Sequence, residues 1–376
     1  MKIFVIPATY NEADNIEKFI AVLEDEVFPQ IKNHEMHVLV ADDFSPDGTG
    51  EIVKKLMGKY KNLGLNQGDR KGLGAAYLRS MGYSFEKLGA DYVVSIDADF
   101  QFDPHDLVRF IKKIDEGYEM VVQTRYSGGG SIPKNWPPQR KIFSIVANLF
   151  VRSVFMKFNV HDWTGGFRAI KKDVFMKIRP KMKGRNGYIF QIAFLHEAVV
   201  DKFKIGEVPV DFTDRKLGMS KIAPLNYIFD VLSFVIITRI KELLSGSFGK
   251  FLVVGGIGFF INLSLYYFLA KHLNFNLVVA NTIGAELAIL SNYNLNNLWT
   301  FSHKKITSPS KYLKQMILFF LASNIGVFLW QNGTIFLGDH LFGRNLYLIY
   351  WLFGTGLLLI WNFTVYSRFI WKTHEA

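Results

Sequence analysis

The sequence predicts a doubly wound α/β domain with amphipathic helices beside it, followed by an all-α unit of four transmembrane helices. Three observations predict it. Through about residue 220, short β-rich runs alternate with helical patterns. Beyond residue 246, four long apolar stretches carry almost no charge. The 376-residue chain is 49% hydrophobic, with 35 Phe, 16 Tyr and 7 Trp, too apolar and aromatic for an average soluble domain.

Ile3–Pro7 reads as a strand and Asn15–Glu26 as the helix after it; Val38–Asp42 is followed in the same way by Thr49–Tyr60. A helix over Ala75–Lys87 precedes the strand Tyr92–Asp97, and His105–Glu116 precedes Met120–Arg125. Alternation of this kind argues a parallel sheet, whose ligands bind beyond the carboxyl ends of the strands. The N-terminal apolar run is too short for a signal peptide, so the first domain is expected in the cytoplasm.

Arg140–Phe158 sets Ile142, Phe143, Val146, Leu149, Phe150 and Val154 on one helical side and Lys141, Ser144, Asn148 and Arg152 on the other. Leu225–Leu244 is similar, and its uncharged stretch between Asp230 and Arg239 is too short to span. Both are expected to lie in the membrane interface. The boundaries that follow are 1–223 for the α/β domain, with its interfacial helix at about 139–158, 224–246 for the second interfacial helix and linker, and 247–376 for the membrane domain.

Phe251–Ala270, between Lys250 and Lys271, is uncharged and long enough to cross a bilayer. Leu273–Ser302 holds one acidic residue, Glu286, while Gln315–Gly338 and Leu346–Ser367 hold no Asp, Glu, Lys or Arg. Lys304, Lys305, Lys311 and Lys314 lie between spans two and three and Arg368 and Lys372 after span four, which puts both termini in the cytoplasm. Residues 251–262 followed by 292–301 have an echo in 319–330 followed by 362–371, so the spans read as two helical hairpins of similar design. Asn292, Asn294, Asn296, Asn297, Asn324 and Asn362 are expected to bond helix to helix, and Glu286 either functions or pairs with a neighbouring Asn.

The strand ends are polar. Pro7-Ala8-Thr9-Tyr10-Asn11-Glu12, Asp42-Asp43-Phe44-Ser45-Pro46-Asp47-Gly48-Thr49 and Asp97-Ala98-Asp99-Phe100-Gln101 form three acidic crests on one sheet edge. Asp42 can accept from ribose hydroxyls or base nitrogens, whereas Asp43 and Asp47 serve a turn. The alternating oxygen side chains of the third crest suit a hard cation, Mg²⁺ or Mn²⁺, that keeps positions for diphosphate oxygens. Arg70–Ala76 reads as an anion-facing or plain helix start. The absence of GxxxxGK[ST], and of GxGxxG after the first strand, removes support for NTP hydrolysis and dinucleotide redox chemistry. Zero cysteines exclude a disulfide framework, a thiolate metal site and a cysteine nucleophile. The net charge of +11 calls for an anionic partner, and the four spans favour phosphate and membrane over nucleic acid.

PATYNE, DDFSPDGT, RKGLGAA, DADFQ, TRYSGGG, WTGGFRAI and EVPVDFTDRKLGMSKI, in that order over residues 1–245, resemble the family 2 glycosyltransferases that load a hexose onto a polyprenyl phosphate. Ser45–Thr49 and Gly187–Gln191 match the pattern of the dolichyl-phosphate mannose synthases among them, and the C-terminal half resembles the GtrA-like four-helix domain. The resemblance implies a GT-A (Rossmann-like) catalytic domain that transfers mannose from GDP-mannose to dolichyl phosphate or a related polyprenyl phosphate. It assigns Pro7, Tyr10, Glu12, Val40 and Asp42 to the nucleoside, and Asp97, Ala98, Asp99 and Gln101 to sugar diphosphate and metal, with Asp99 and Gln101 as ligands. Arg125, Arg140, Ser144, Arg215 and Lys221 are assigned to the diphosphate and the lipid phosphate, and Asp97, Asp99, Arg125 and Arg215 to catalysis. Two positions depart from the pattern: Ile189 stands where Lys is frequent, and Phe44 where Gly is usual.

A lipid phosphate with a second pKa near ~6 is largely dianionic at neutral pH and needs no protein base to attack the anomeric carbon. One in-line displacement then inverts the configuration. Asp162 is expected to orient Arg168 or close the acceptor loop, and the Gly- and Pro-rich loop 128–138 to form a lid. The competing readings are a UDP-glucose-dependent polyprenyl-phosphate glucosyltransferase and a lipid-sugar flippase with an accessory N-terminal domain.

Overall fold

Lys2–Thr9 (β1) is buried along almost its whole length, as a central strand covered on both faces must be. The computed structural model describes residues 1–185, 187–214, 224–273, 275, 277–343 and 346–371. After β1 come α1 (Ala13–Ala21), β2 (Glu35–Asp42), α2 (Thr49–Leu56), β3 (Leu63–Gln67), α3 (Leu73–Glu86), β4 (Tyr92–Asp97), α4 (Leu107–Asp115) and β5 (Met120–Thr124). The α/β part continues through α5 (Pro138–Phe155), β6 (Arg168–Lys171), α6 (Lys172–Ile178), α7 (Ile189–Val200), β7 (Ile205–Pro209) and α8 (Pro224–Ser245).

The seven strands are ordered β3-β2-β1-β4-β6-β5-β7. All pairs are parallel except those of β6, which runs antiparallel to β4 and β5, so the sheet is mixed rather than purely parallel as expected. The reason is local. The chain returns over the carboxyl edge, where Ser95 Oγ donates to the Gly166 carbonyl at 2.7 Å, and a strand starting there can only run back down the sheet.

Alternate strand residues feed two apolar layers. Ile3, Val5, Val38, Val40 and Val94 pack with α1, α2 and α4; Phe4, Ile6, Leu39 and Val93 pack with α3, α5, α6, α7 and the first half of α8. In α4 the spacing Leu107, Phe110, Ile111, Ile114 gives one buried stripe, and Asp103 caps the short turn ahead of it by accepting from His105 N at 2.9 Å.

The α5 helix is amphipathic in an inverted sense. Asn148, Val151 and Phe155 face the core, while Ile142 (62% exposed), Phe143 (53%), Val146 (54%) and Leu149 (52%) face outward. On α8, Val231 and Val235 are buried and Phe229 and Ile236 exposed.

The chain divides into the units Met1–Ile237 and Thr238–Ala376, so the division falls within α8. The second unit holds α9 (Ser247–His272), α10 (Leu277–Leu295), α11 (Pro309–Gly326), α12 (Gly333–Phe342) and α13 (Tyr347–Val365). A π-helical stretch, Val327–Asn332, carries α11 into α12, and π-helical stretches also end α10 (Asn296–Thr300) and α13 (Tyr366–Ile370). Among the described residues, Ser247–Leu269 and Pro309–Trp330 are long and apolar enough to cross a membrane.

The internal repeat has a structural counterpart. The residues that close the two terminal π stretches, Phe301 and Trp371, stack at 4.7 Å and 18°. Phe251 and Phe319, at matching repeat positions, enter the same aromatic cluster with Tyr293 and Tyr366. The Asn side chains bond as expected at two places: Asn294 Oδ1 accepts from Tyr312 Oη, joining α10 to α11, and Asn297 fastens Ile306 and Trp371. Glu286 lies exposed on α10.

Candidate active site

The three acidic crests lie at the carboxyl ends of β1, β2 and β4, which are adjacent strands. Each turns through a non-glycine residue with left-handed backbone: Asn11 (φ 56°), Phe44 (φ 45°) and Phe100 (φ 58°). Such residues are uncommon and store strain, and all three border the same edge. Phe44 therefore makes the turn that a glycine usually makes, with its ring 58% exposed.

Asp42 is wholly buried and its carboxylate is held from several sides. It accepts from Thr9 Oγ1 (3.1 Å), Ser45 Oγ (2.5 Å), Ser45 N (3.2 Å) and Gln67 Nε2 (3.0 Å). It braces the β1 and β3 ends around the crest of β2. Asp43 faces the Arg79 guanidinium at 3.2 Å; burial raises its pKa against that contact. Asp47 makes the turn, accepting from Thr49 N (3.0 Å) and Thr49 Oγ1 (2.6 Å), and also fixes the start of α1 by accepting from Ala13 N at 2.9 Å. Burial works against its ionised form, but these bonds outweigh it and its pKa is lowered.

Pro7 is buried in β1, and Glu12 receives Asn15 Nδ2 at 2.9 Å. Tyr10 carries the Arg70 guanidinium over its ring at 3.8 Å. Val40 lies in the apolar core beneath the sheet, two residues before the crest, so its side chain is remote from the edge.

On the third crest Asp97 Oδ1 accepts from Tyr77 Oη at 3.3 Å; burial, and then the charge of Asp97, push the Tyr77 phenol well up. Ala98 is buried and Asp99 is 3% exposed, its Oδ1 receiving Gln101 N at 3.1 Å. Two carboxylates and an amide oxygen form a hard donor set that fits Mg²⁺ or Mn²⁺. No group of three His, Cys, Asp or Glu that could hold a metal occurs among the described residues, so Asp97, Asp99 and Gln101 would hold a cation together with ligands from the substrate or water.

Arg125, just past β5, is 9% exposed and forks the fully buried Asp162, with Nε to Oδ2 at 2.7 Å and Nη2 to Oδ1 at 2.9 Å. Gln123 Nε2 and Thr164 N add weaker bonds at 3.4 and 3.3 Å. Burial disfavours the Asp162 anion, but the Arg125 charge and these donors outweigh it and lower its pKa.

Of the two roles expected of Asp162, orienting Arg168 is replaced by a pairing with Arg125. Arg168 is itself buried and donates to the carbonyls of Gly165 (2.8 Å), Trp163 (2.9 Å) and Gln191. A side chain at Gly165 would meet Gln123 Nε2 at 1.8 Å, which is why glycine stands there.

Ser144 Oγ shares a 2.6 Å bond with Tyr126 Oη, and Asn148 Oδ1 accepts from Trp163 N at 2.8 Å, so α5 is bolted to this edge by its polar side. Arg140 lies over the Trp136 ring at 3.9 Å, with Asp214 at 3.8 Å. Loop 128–138 is anchored: Ser131 Oγ donates to Asp211 (2.6 Å), Asn135 Nδ2 and Trp136 Nε1 to Asp214 (2.7 and 2.5 Å). Thr213 N donates to the Gln101 carbonyl at 2.9 Å, so the segment that holds Arg140 also rests on the third crest. Arg215 and Lys221 lie outside the described residues.

Residues 4–179 match the model of glycosyl transferase family 2, and residues 250–371 match the GtrA/DPMS transmembrane domain. A protein of Pyrococcus furiosus named dolichol-phosphate mannosyltransferase is 30% identical over 94% of this chain and 96% of its own. A polyprenol monophosphomannose synthase of Mycolicibacterium smegmatis is 34% identical over 59% of this chain and 81% of its own. Among solved structures, glucosyl-3-phosphoglycerate synthase from Mycobacterium tuberculosis with Mn²⁺, UDP and glucosyl-3-phosphoglycerate covers 63% of this chain and 79% of its own at 19% identity, with a TM-score of 0.46. The chain belongs to glycosyltransferase family 2, is a glycosyltransferase, and carries a GtrA/DPMS transmembrane domain.

Proposed function

We propose that the chain transfers mannose from GDP-mannose to dolichyl phosphate or a related polyprenyl phosphate, with inversion, at the cytoplasmic face of the membrane. The observation that carries this reading is the end-to-end likeness to the Pyrococcus furiosus dolichol-phosphate mannosyltransferase, which takes in both units. The outward apolar face of α5 beside a diphosphate-suited edge is what a lipid acceptor requires. The lysine-rich connection after α10 supports cytoplasmic termini.

In this reading, the edge of β1 and β2 with Tyr10, Glu12 and the bracing Asp42 receives the nucleoside. Asp99 and Gln101 would hold Mg²⁺ or Mn²⁺, with Asp97 beside them, and the ion would offset charge on the departing nucleotide diphosphate. Arg140, over the Trp136 ring, is an exposed cation at the start of α5 and attracts the acceptor phosphate. Arg125, neutralised by Asp162, fixes the end of β5 and keeps Tyr126 against Ser144, which aligns the acceptor. The lipid phosphate supplies the nucleophilic oxygen, so no residue needs to remove a proton.

The test is transfer of labelled mannose from GDP-mannose, beside UDP-glucose, to dolichyl phosphate in detergent with Mg²⁺ or Mn²⁺, using wild type and Asp99→Ala. Lipid-linked mannose that is β-configured and lost by at least about a hundredfold in the variant is expected. Transfer from UDP-glucose alone would overturn the mannose assignment, and an α-linked product would overturn the single displacement.

A further inference from the structure

We propose that Arg70 is the residue that selects guanine in the sugar-nucleotide donor, reading the O6 and N7 acceptors of the base with its guanidinium fork. The inference rests on the GDP-mannose reading and deepens it.

The nucleoside edge is short of free acceptors and has one unusual donor. Asp42, the carboxylate placed by sequence to meet a base, already receives Thr9, Ser45 and Gln67 and is completely buried. Base reading through that carboxylate would break bonds that hold three strand ends together. The cations around it are mostly spoken for: Arg79 forks Asp43 at 3.2 Å, and Lys71 lies 3.6 Å from Asp69.

Arg70 differs. It makes no salt bridge within 4 Å among the described residues, although its charge reaches Asp43; it is exposed and rests on the Tyr10 ring at 3.8 Å. It follows β3, and Tyr10 follows β1, so the stacked pair bridges across the end of β2 that lies between them. At that separation the guanidinium rests against the ring face at the sheet edge, and its five N–H donors form no side-chain hydrogen bond among the described residues.

A planar pair of donors fixed in this way matches one base. Guanine presents two neighbouring acceptors, O6 and N7, whereas adenine sets a donor beside N7 and the corresponding pyrimidine edge lacks the pair. Because the aromatic ring has already immobilised the fork, little ordering is left to be done on binding. Tyr10 is then the platform for Arg70 as well as a wall of the nucleoside site.

The experiment is equilibrium binding of GDP, 7-deaza-GDP and UDP to the full chain in detergent with Mg²⁺, for wild type, Arg70→Ala and Arg70→Lys. The 7-deaza ligand replaces N7 by a carbon and leaves O6 in place. Wild type should bind GDP roughly tenfold tighter than 7-deaza-GDP. Both variants should lose about that factor for GDP, bind GDP and 7-deaza-GDP alike, and keep UDP within about twofold. Discrimination unchanged in Arg70→Ala overturns the inference while leaving the donor reading intact. Equal loss of GDP and UDP makes Arg70 a general contact and also overturns it. A wild type that prefers UDP to GDP overturns the donor reading itself, and guanine selection with it.

Discussion

At the scale of single residues, the Arg125–Asp162 pair is where burial and charge meet most sharply. Two ions removed from water are tolerable only when geometry and extra donors compensate, and removing one partner leaves the other stranded. Asp162→Asn should therefore destabilise the chain by about 3 kcal/mol and weaken transfer, measured by thermal unfolding and initial rates; a variant as stable as wild type would refute the account. Asp162 titrates below an ordinary carboxylate, so its stabilisation is complete above the unfolded pKa of about 3.9 and is lost as pH falls through the lower folded value. The melting temperature of wild type should drop more steeply below about pH 4 than that of Asp162→Asn. Gly165→Ala should cost about 1–3 kcal/mol, because the new methyl would drive Gln123 from both Asp162 and Phe167. The acidic crests were legible in the sequence because each closes an apolar run. The Arg125–Asp162 pairing was not, since the partners lie on separate connections whose meeting depends on the antiparallel entry of β6. Arg70 was noticed only as part of a cationic helix start, for nothing in its spacing reveals the ring beneath it.

At the scale of elements, long helices and strongly apolar strands were readable, and short strands broken by glycine or charge were not. The strand Tyr92–Asp97 was expected and found because Tyr92, Val93, Val94 and Ile96 are all strand formers, and the helix expected over Ala75–Lys87 forms over Leu73–Glu86, long enough for its period to show. Leu63–Gln67, Arg168–Lys171 and Ile205–Pro209 went unread as strands: each is short, and the first contains Gly64 and the second two charged residues. Arg168–Lys171 also reverses direction, which no local signal encodes. The α5 helix was read as two-faced; the structure docks Asn148, Val151 and Phe155, and with them Phe150 and Val154, which the sequence grouped with the outward Ile142, Phe143, Val146 and Leu149. Ile142, Phe143, Val146 and Leu149 are outside, so replacing Ile142, Phe143 and Val146 together by Ser should change stability by no more than about 1 kcal/mol. Transfer to long-chain polyprenyl phosphate in liposomes should nevertheless fall several-fold, while transfer to a short-chain acceptor in detergent holds. A marked loss of melting temperature would show instead that this face is part of the core.

At the scale of the whole molecule, the two units rest on different cores, and the membrane unit has its own polar fastener. Asn297, 3% exposed, accepts at Oδ1 from Ile306 N (2.8 Å) and Trp371 Nε1 (3.0 Å) and donates through Nδ2 to the Ile306 carbonyl (3.1 Å). One amide thus ties the end of the first hairpin to its following loop and to the closing residue of the second. Asn297→Ala would leave three buried polar groups without their partner, at about 1–3 kcal/mol each where water cannot reach them. The expected outcome is a lower melting temperature of the full chain in detergent and faster tryptic cleavage at Lys304 and Lys305, next to the released Ile306. The crests, the Arg125–Asp162 pair and α5 all belong to the first unit. Transfer to a short-chain acceptor in detergent, below the new melting temperature, should consequently stay within about twofold of wild type, since no group of the reaction edge is touched. A proportional loss of transfer at that temperature would show that the membrane unit acts on the chemistry itself, whereas loss confined to liposomes would assign it to presentation of the lipid.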